Sequence, residues 1–284
     1  MHNEKLNISI VTVCYNSAEF IERCIKSVQS QTYENIEHII VDGGSNDDTV
    51  KIIKACSDCN TTLVSEPDDG IYDAMNKSLN FVTGDVIFFL NSDDFFADDM
   101  VVENVMCKFN LDRSLEVVVA GIAYFSDNNI IKMNREWRVT PNDRIDFKCG
   151  WHPPHPGFFA KWDCYQNAGN FDLALKVSAD FDLMLRFIVV HKFKLTILDI
   201  IATMMYEGGF SSSWKNRIIG NLNIILSFRK NADRGSRIYY TTDPLESLEN
   251  DIDNDIWRLL DSSDDDRKHG YLYDVIHNNK TGEI

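Results

Sequence analysis

Short β-branched runs alternate with helical patterns through the first 90 residues, and this alternation leaves the chain few folds to choose from. Residues 8–14 (ISIVTVC) form a continuous apolar run, as a strand buried on both faces requires. Ser17 is placed to cap a helix whose apolar positions, Phe20, Ile21, Cys24, Ile25 and Val28, fall on one helical face. Residues 36–41 read as a second strand, Gly43-Gly44-Ser45 as a turn, and Asn46 or Asp47 as the cap of the next helix. Residues 61–64 form a third strand, Asp69-Gly70 a turn, 71–81 a helix and 86–90 a fourth strand. This β-α-β-α-β-α-β order requires a mainly parallel sheet with right-handed crossovers. The expected class is α/β, Rossmann-like, with helices flanking the sheet.

After Asp94 the pattern changes. Residues 100–109 read as a helix, and 117–125 and 130–138 as two strands joined by the hairpin signal Ser126-Asp127-Asn128-Asn129. An amphipathic helix follows at 180–191 and a strand at 195–205. With 44% hydrophobic and 11% aromatic residues, wholesale disorder is excluded. A chain of 284 residues buries about three quarters of its unfolded surface, so it needs no disulfide or metal to hold a core. The seven cysteines are scattered, with Cys56 and Cys59 the one close pair, which argues for a reduced, cytoplasmic protein rather than a zinc site. No apolar run approaches the roughly 18 residues that span a bilayer, and no secretory signal is expected. The net charge of −16 excludes a broad nucleic-acid surface.

In an open parallel sheet, ligands bind beyond the carboxyl ends of the strands. Here those ends carry Tyr15 and Asn16, then Asp42, then Glu66-Pro67-Asp68-Asp69, then Asn91-Ser92-Asp93-Asp94. Carboxylates gathered on one rim repel each other unless a cation sits among them, and a divalent ion with oxygen ligands fits. Each single Asp could equally be a helix cap. Gly43-Gly44-Ser45 lacks the spacing of a phosphate loop and reads as turn geometry.

The ordered series T-V-C-Y-N-S, I-I-V-D-G-G-S-N-D-D-T, S-E-P-D-D-G-I-Y-D-A-M-N-K-S-L and G-D-V-I-F-F-L-N-S-D-D, then H-P-P-H-P-G-F-F and A-D-F-D-L-M-L-R, resembles the family 2 (GT-A) glycosyltransferases over about the first 210 residues. It looks most like the bacterial branch that builds capsule, O-antigen or exopolysaccharide units. The resemblance implies a GT-A fold and inverting, metal-dependent transfer from a UDP-sugar to a saccharide acceptor, usually a lipid-linked one, with polyprenyl diphosphate a candidate carrier. Asp42 would accept the uracil N3–H, with Thr12 and Tyr15 beside the base. Asn16, Asp69, Lys77, Asn91 and Ser92 would complete the nucleotide-sugar site. Asp93 would hold Mn²⁺ or Mg²⁺ against the diphosphate. Asp180 would be the catalytic base, with Asp182 a dipole partner or an orienting group. Two positions depart from the family pattern. Asn91 stands where the metal motif has its first Asp, and Ala74-Met75-Asn76 stands where many members have A-R-N, which leaves Lys77 or a residue of the second half to supply positive charge.

Trp151-His152-Pro153-Pro154-His155-Pro156-Gly157 has a backbone fixed by its prolines. Trp151 and His155 are the candidate acceptor platform, with loop packing and metal binding as the alternatives. Residues 207–211 read either as a lid or as a simple turn. Ile218, Ile219, Leu222, Ile225 and Leu226 form an apolar stripe among Lys215, Arg217, Arg229 and Lys230. Such a helix either lies on an anionic membrane at its inner face or packs on its own catalytic domain. Residues 243–266 carry ten acidic residues and one basic one, a solvated run. The expected organisation is a catalytic domain at 1–210, divided into a nucleotide-binding half (1–95) and an acceptor-binding half (96–210), then a helical extension with an acidic tail at 211–284. A sugar-phosphate nucleotidyltransferase and a non-catalytic nucleotide-sugar-binding module are the rival readings.

Overall fold

The computed structural model describes residues 5–126, 133–143, 145–147, 152–208 and 214–232. The first half alternates β1 (Ile8–Cys14), α1 (Ile21–Gln29), β2 (Ile36–Asp42), α2 (Thr49–Cys56), β3 (Thr61–Ser65), α3 (Ile71–Ser78) and β4 (Val86–Phe89). These four strands are parallel, in the order β3-β2-β1-β4. Every residue of β1 is buried, because β2 and β4 flank it and helices cover both faces. Val11 and Val13 point into one core layer, Ile8 and Ile10 into the other. The period of two along the strand thus divides the core.

Beyond β4 the sheet becomes mixed. β5 (Phe95–Phe96) and α4 (Val101–Leu111) precede β6 (Val117–Phe125), β7 (Met133–Trp137), β8 (Phe158–Lys161) and β9 (Leu195–Tyr206). β8 runs antiparallel to both β4 and β6, β9 runs parallel to β6, and β5 closes the far edge against β9. β8 and the following helix α5 (Trp162–Ala168) are absent from the expectations above. Four residues are too short to display a period. Gly157, just before β8, is required by close approach: a Cβ there would lie 2.1 Å from the Ala120 carbonyl oxygen of β6.

Two local expectations need correction. Ser17 does not cap α1 with its side chain. Its carbonyl accepts the amides of Phe20 and Ile21, and its hydroxyl turns to Ser92. The helix expected over 180–191 is α6 (Ala179–Leu185), continuing as a π-helical turn over Arg186–Val190. Asp47 does serve the start of α2, accepting the Thr49 amide at 2.9 Å.

The chain divides into two compact units, Met1–Ile238 and Tyr239–Ile284, and the second lies outside the described residues, as does the acidic run. α7 (Trp214–Ala232) packs on α6. Its inward face is largely polar: Asn223, Ser227 and Asn231 are buried, along with Ile225 and Phe228. Of the expected apolar stripe, Ile219, Leu222 and Leu226 are only half-buried, while the side chain of Ile218 lies outside the described set. Among the described residues, no helix is long and apolar enough to cross a membrane.

Candidate active site

The carboxyl ends of β1, β2 and β4 meet at one rim. Asp42 ends β2 opposite Cys14 and is fully buried. Its Oδ2 accepts the Gly44 amide at 3.2 Å, the Ser45 amide at 3.0 Å and the Ser65 hydroxyl at 2.7 Å, and its Oδ1 accepts the Ser45 hydroxyl. Gly44 sits at φ +82, so the carboxylate organises a turn that needs glycine. Asn16, itself at φ +50, donates its amide to Ser45 Oγ at 2.8 Å and accepts the Asn46 amide at 3.0 Å, lacing the two strand ends together. Tyr15 is 60% exposed at this rim. Thr12 is elsewhere: two residues below the end of β1, fully buried, its hydroxyl lies 3.0 Å from His38 Nε2 and faces Cys24 of α1. The structure does not bring Thr12 to the rim.

After β4 the chain turns through Asn91-Ser92-Asp93-Asp94. The Ser92 hydroxyl meets that of Ser17 at 2.9 Å. Asp94 is buried, accepting the Tyr206 amide at 3.0 Å and Asn91 Nδ2 at 3.2 Å. Burial pushes the carboxyls of Asp93 and Asp94 above the usual range, and the charge of Asp93 adds to the rise at Asp94. Arg23 lies beside them, its guanidinium 3.4 Å from the Asp93 carbonyl and stacked on Phe95 and Phe125 at 4.7 and 4.6 Å. Asn91 Oδ1 is buried with no hydrogen-bond partner among the described residues. A buried acceptor without a donor is costly, so the site favours a ligand that brings one.

Among the described residues, no three His, Cys, Asp or Glu side chains converge as a ready-made metal cage. The donor set fits a different kind of ion binding. Mg²⁺ and Mn²⁺ at phosphate sites are held by one or two carboxylates together with the substrate's own oxygens. Asp93, with its repelled neighbour Asp94 and the open Asn91 oxygen, suits that arrangement.

The acidic loop between β3 and α3 holds Lys77. Its ammonium donates to the Pro67 carbonyl at 2.8 Å and pairs with Asp73 at 3.1 Å and Glu66 at 3.7 Å. The cation expected near a diphosphate is therefore engaged within its own helix and by the loop before it. Met75, in the middle of the Ala74-Met75-Asn76 triplet, is buried in the core. Asp69 is exposed, its amide bonded to Asp73.

On the other side stands Asp180, in the first turn of α6. Its Oδ1 accepts the Phe181 amide at 2.9 Å and lies 3.0 Å from the Tyr72 hydroxyl. His155 is buried between Phe89 and Phe171, with ring centroids at 5.9 and 5.7 Å. Burial holds its imidazole below the ordinary range, against the opposing pull of the Asp180 charge. Asp182 is separate: it is buried, paired with Arg186 Nε at 2.7 Å, and accepts Ser227 at 2.8 Å and Asn231 at 2.9 Å from α7. Trp151 lies outside the described residues.

Sequence reading passes over three contributors. Tyr72 reaches Asp180, Arg23 stands at the acidic turn, and Asn76 clasps the Phe171 backbone at both amide and carbonyl, at 3.0 and 2.9 Å. α3 mixes polar and apolar residues throughout, so neither Tyr72 nor Asn76 stands out along it, and Arg23 sits on a helix face with ordinary surface spacing.

Glycosyl transferase family 2 matches residues 9–162. An uncharacterized glycosyltransferase of Mycobacterium tuberculosis is 30% identical over 217 residues, covering 76% of this chain and 81% of that protein. The hyaluronan synthase of Pasteurella multocida is 26% identical over 245 residues, and this chain covers 25% of its length. Among solved structures, S. aureus TarS 1–349 in complex with UDP superposes with a TM-score of 0.59 at 17% identity, over 78% of this chain and 65% of that one. The mannosyltransferase PcManGT from Pyrobaculum calidifontis, in complex with GDP-Man and Mn²⁺, gives 0.61 at 18% identity, over 86% and 68%. At such identities the likeness carries the fold, which is the GT-A fold expected from the motifs. With more than half of its length matched and its strand-end acids gathered on one rim, the chain belongs to glycosyl transferase family 2.

Proposed function

We propose that this protein transfers a sugar from a UDP-sugar, with inversion at C1, to a saccharide acceptor carried on a polyprenyl diphosphate, in cytoplasmic assembly of a surface polysaccharide. The observation that carries the reading is the turn after β4, where two repelling carboxylates and an orphaned amide oxygen wait for a cation and a hydroxyl donor. In this reading Asn91 Oδ1 would accept a ribose hydroxyl or a water, and Asp93 would hold Mn²⁺ or Mg²⁺. The ion, when bound, stabilises the charge that develops on the departing diphosphate. Asp42 selects uracil: its Oδ1 exchanges the Ser45 hydroxyl for N3–H while Oδ2 keeps the loop in shape, and Tyr15 covers the base. Asp180 takes the proton of the acceptor hydroxyl as that oxygen attacks C1, and His155 packs behind it as a neutral wall. Residues 1–210 form the catalytic unit, with α7 docked on it.

The test is nucleotide release from a panel of UDP- and GDP-sugars, with and without Mn²⁺. One UDP-sugar should release UDP in a Mn²⁺-dependent manner. Asp93→Ala should abolish that dependence while the melting temperature stays within a few degrees. Equal release from GDP-sugars would overturn the donor assignment. Activity indifferent to both EDTA and Asp93→Ala would overturn the metal.

A further inference from the structure

We infer that Tyr72 is a positioning residue for the base: its hydroxyl holds Oδ1 of Asp180, so that Oδ2 is the oxygen presented to the acceptor. The inference rests on the reading of Asp180 as that base. Tyr72 lies at the start of α3, three residues beyond Asp69, with its ring stacked on Phe171 at 5.6 Å. Its hydroxyl has one proton and two acceptors in reach, Asp180 Oδ1 at 3.0 Å and the Val177 carbonyl at 2.7 Å. Hydrogen bonds to an ionised acceptor are roughly twice as strong as neutral ones, so an ionised Asp180 draws the proton to Oδ1. The Phe181 amide is a second donor to the same oxygen. Two donors stabilise charge on Oδ1 and fix the carboxylate plane.

The proton balance then closes without heavy-atom movement. The acceptor oxygen bonds to C1, the C1–O bond to the diphosphate breaks with its electron pair leaving on UDP, and the acceptor proton passes to Oδ2. Neutral Asp180 makes a weaker claim on the Tyr72 proton, which can rotate to the Val177 carbonyl. Burial and the Asp180 charge push the Tyr72 phenol well above its ordinary range, so it remains a donor throughout. The other charged or titratable groups facing this end of α6 are His155, Asp182 with Arg186, and His152, whose ring lies 5.1 Å from that of Phe181. His155 is held toward its neutral form by burial, and the charge of Asp182 is matched by Arg186.

The experiment uses hydrolysis of the UDP-sugar selected by the panel, with water as acceptor, so no acceptor need be known. Tyr72→Phe keeps the ring and its stack. Turnover should fall about tenfold, the effect of one lost charge-assisted bond. The KM for the donor should stay within about twofold, and the acid limb of the pH profile should move up by about half a unit to one unit, because only the ionised base loses a donor. In an Asp180→Asn background the same change should cost nothing further. Incorporating 3-fluorotyrosine at position 72, a stronger donor of the same shape, should move the limb the other way, and it keeps the test alive if Tyr72→Phe does not fold. A Tyr72→Phe protein with the parent profile, or with a uniform loss and no shift, overturns the positioning role. If Asp180→Asn itself keeps the parent rate, the assignment of the base fails first and this inference falls with it.

Discussion

At the scale of single residues, burial decides which groups can titrate. His38 is buried in β2 and its imidazole is held down at about 4, because a charged ring there would lose its hydration. Nε2 meets the Thr12 hydroxyl, and Nδ1 has no partner among the described residues. The folded value lies below the unfolded one, near 6.5, so the unfolded chain takes up protons first as pH falls. The contribution of this group is therefore complete above about pH 6.5 and lost progressively down to pH 4. By linkage the loss is on the order of 3 kcal/mol. Thermal unfolding of the parent should show a lower midpoint at pH 4.5 than at pH 7.5, and His38→Gln should flatten that dependence. An unchanged slope in the variant would assign the acid sensitivity elsewhere. The strand-end acids Asp42 and Asp93 are legible from sequence because a parallel sheet sends every strand end to one rim. Thr12 is misjudged because adjacency in the motif does not say how far below the rim a side chain sits. Tyr72 is invisible because its partner is 108 positions away.

At the scale of elements, the pairing of α6 with α7 rests on Asp182. The carboxylate is saturated by Arg186, Ser227 and Asn231, and Arg186 goes on to donate to the carbonyls of Gly169 at 2.9 Å and Asn170 at 2.7 Å. Asp182→Ala would leave a buried guanidinium without its counter-ion, which typically costs about 3–5 kcal/mol. Asn231→Ala removes the side-chain hydrogen bonds to Asp182 and to the Ser227 carbonyl, neither of them to an unpaired charge, and should cost about 1–2 kcal/mol. Urea unfolding ranks the two, and protease cleavage within α7 should rise more steeply in the first. A smaller effect from Asp182→Ala than from Asn231→Ala would contradict this account of the interface. The parallel half of the sheet is readable because its strands are short, apolar and separated by turn residues. β8 is too short to read, and the docking face of α7 defeats a reading by apolar stripe: a buried acid on α6 draws Asn and Ser inward and leaves leucines half outside.

At the scale of the whole molecule, the net charge is −16, and the rim proposed to take the donor carries Glu66, Asp68, Asp69 and Asp73 after β3 and Asp93 and Asp94 after β4. Lys77 is already paired with Asp73 and Glu66, and Arg23 sits against aromatic rings beside Asp93. The UDP-sugar proposed as donor would bring further negative charge, so its encounter would be opposed by the long-range field rather than steered by it. Raising KCl from 10 to about 150 mM shortens the screening length from about 30 to about 8 Å. Rates at donor concentrations well below KM should therefore rise with salt, at fixed Mn²⁺, where a steered enzyme would slow. A falling rate would place a compensating basic surface near the entrance. The acidic turn after β4 has a consequence for the order of events. A bare diphosphate donor would climb against that rim, whereas one that arrives paired with a divalent cation would be nearly neutral and meet little opposition. For the proposed metal-dependent transfer this acidic rim screens donors by charge: with Mn²⁺ scarce, the rate should follow the concentration of the metal–nucleotide complex, not that of either component alone.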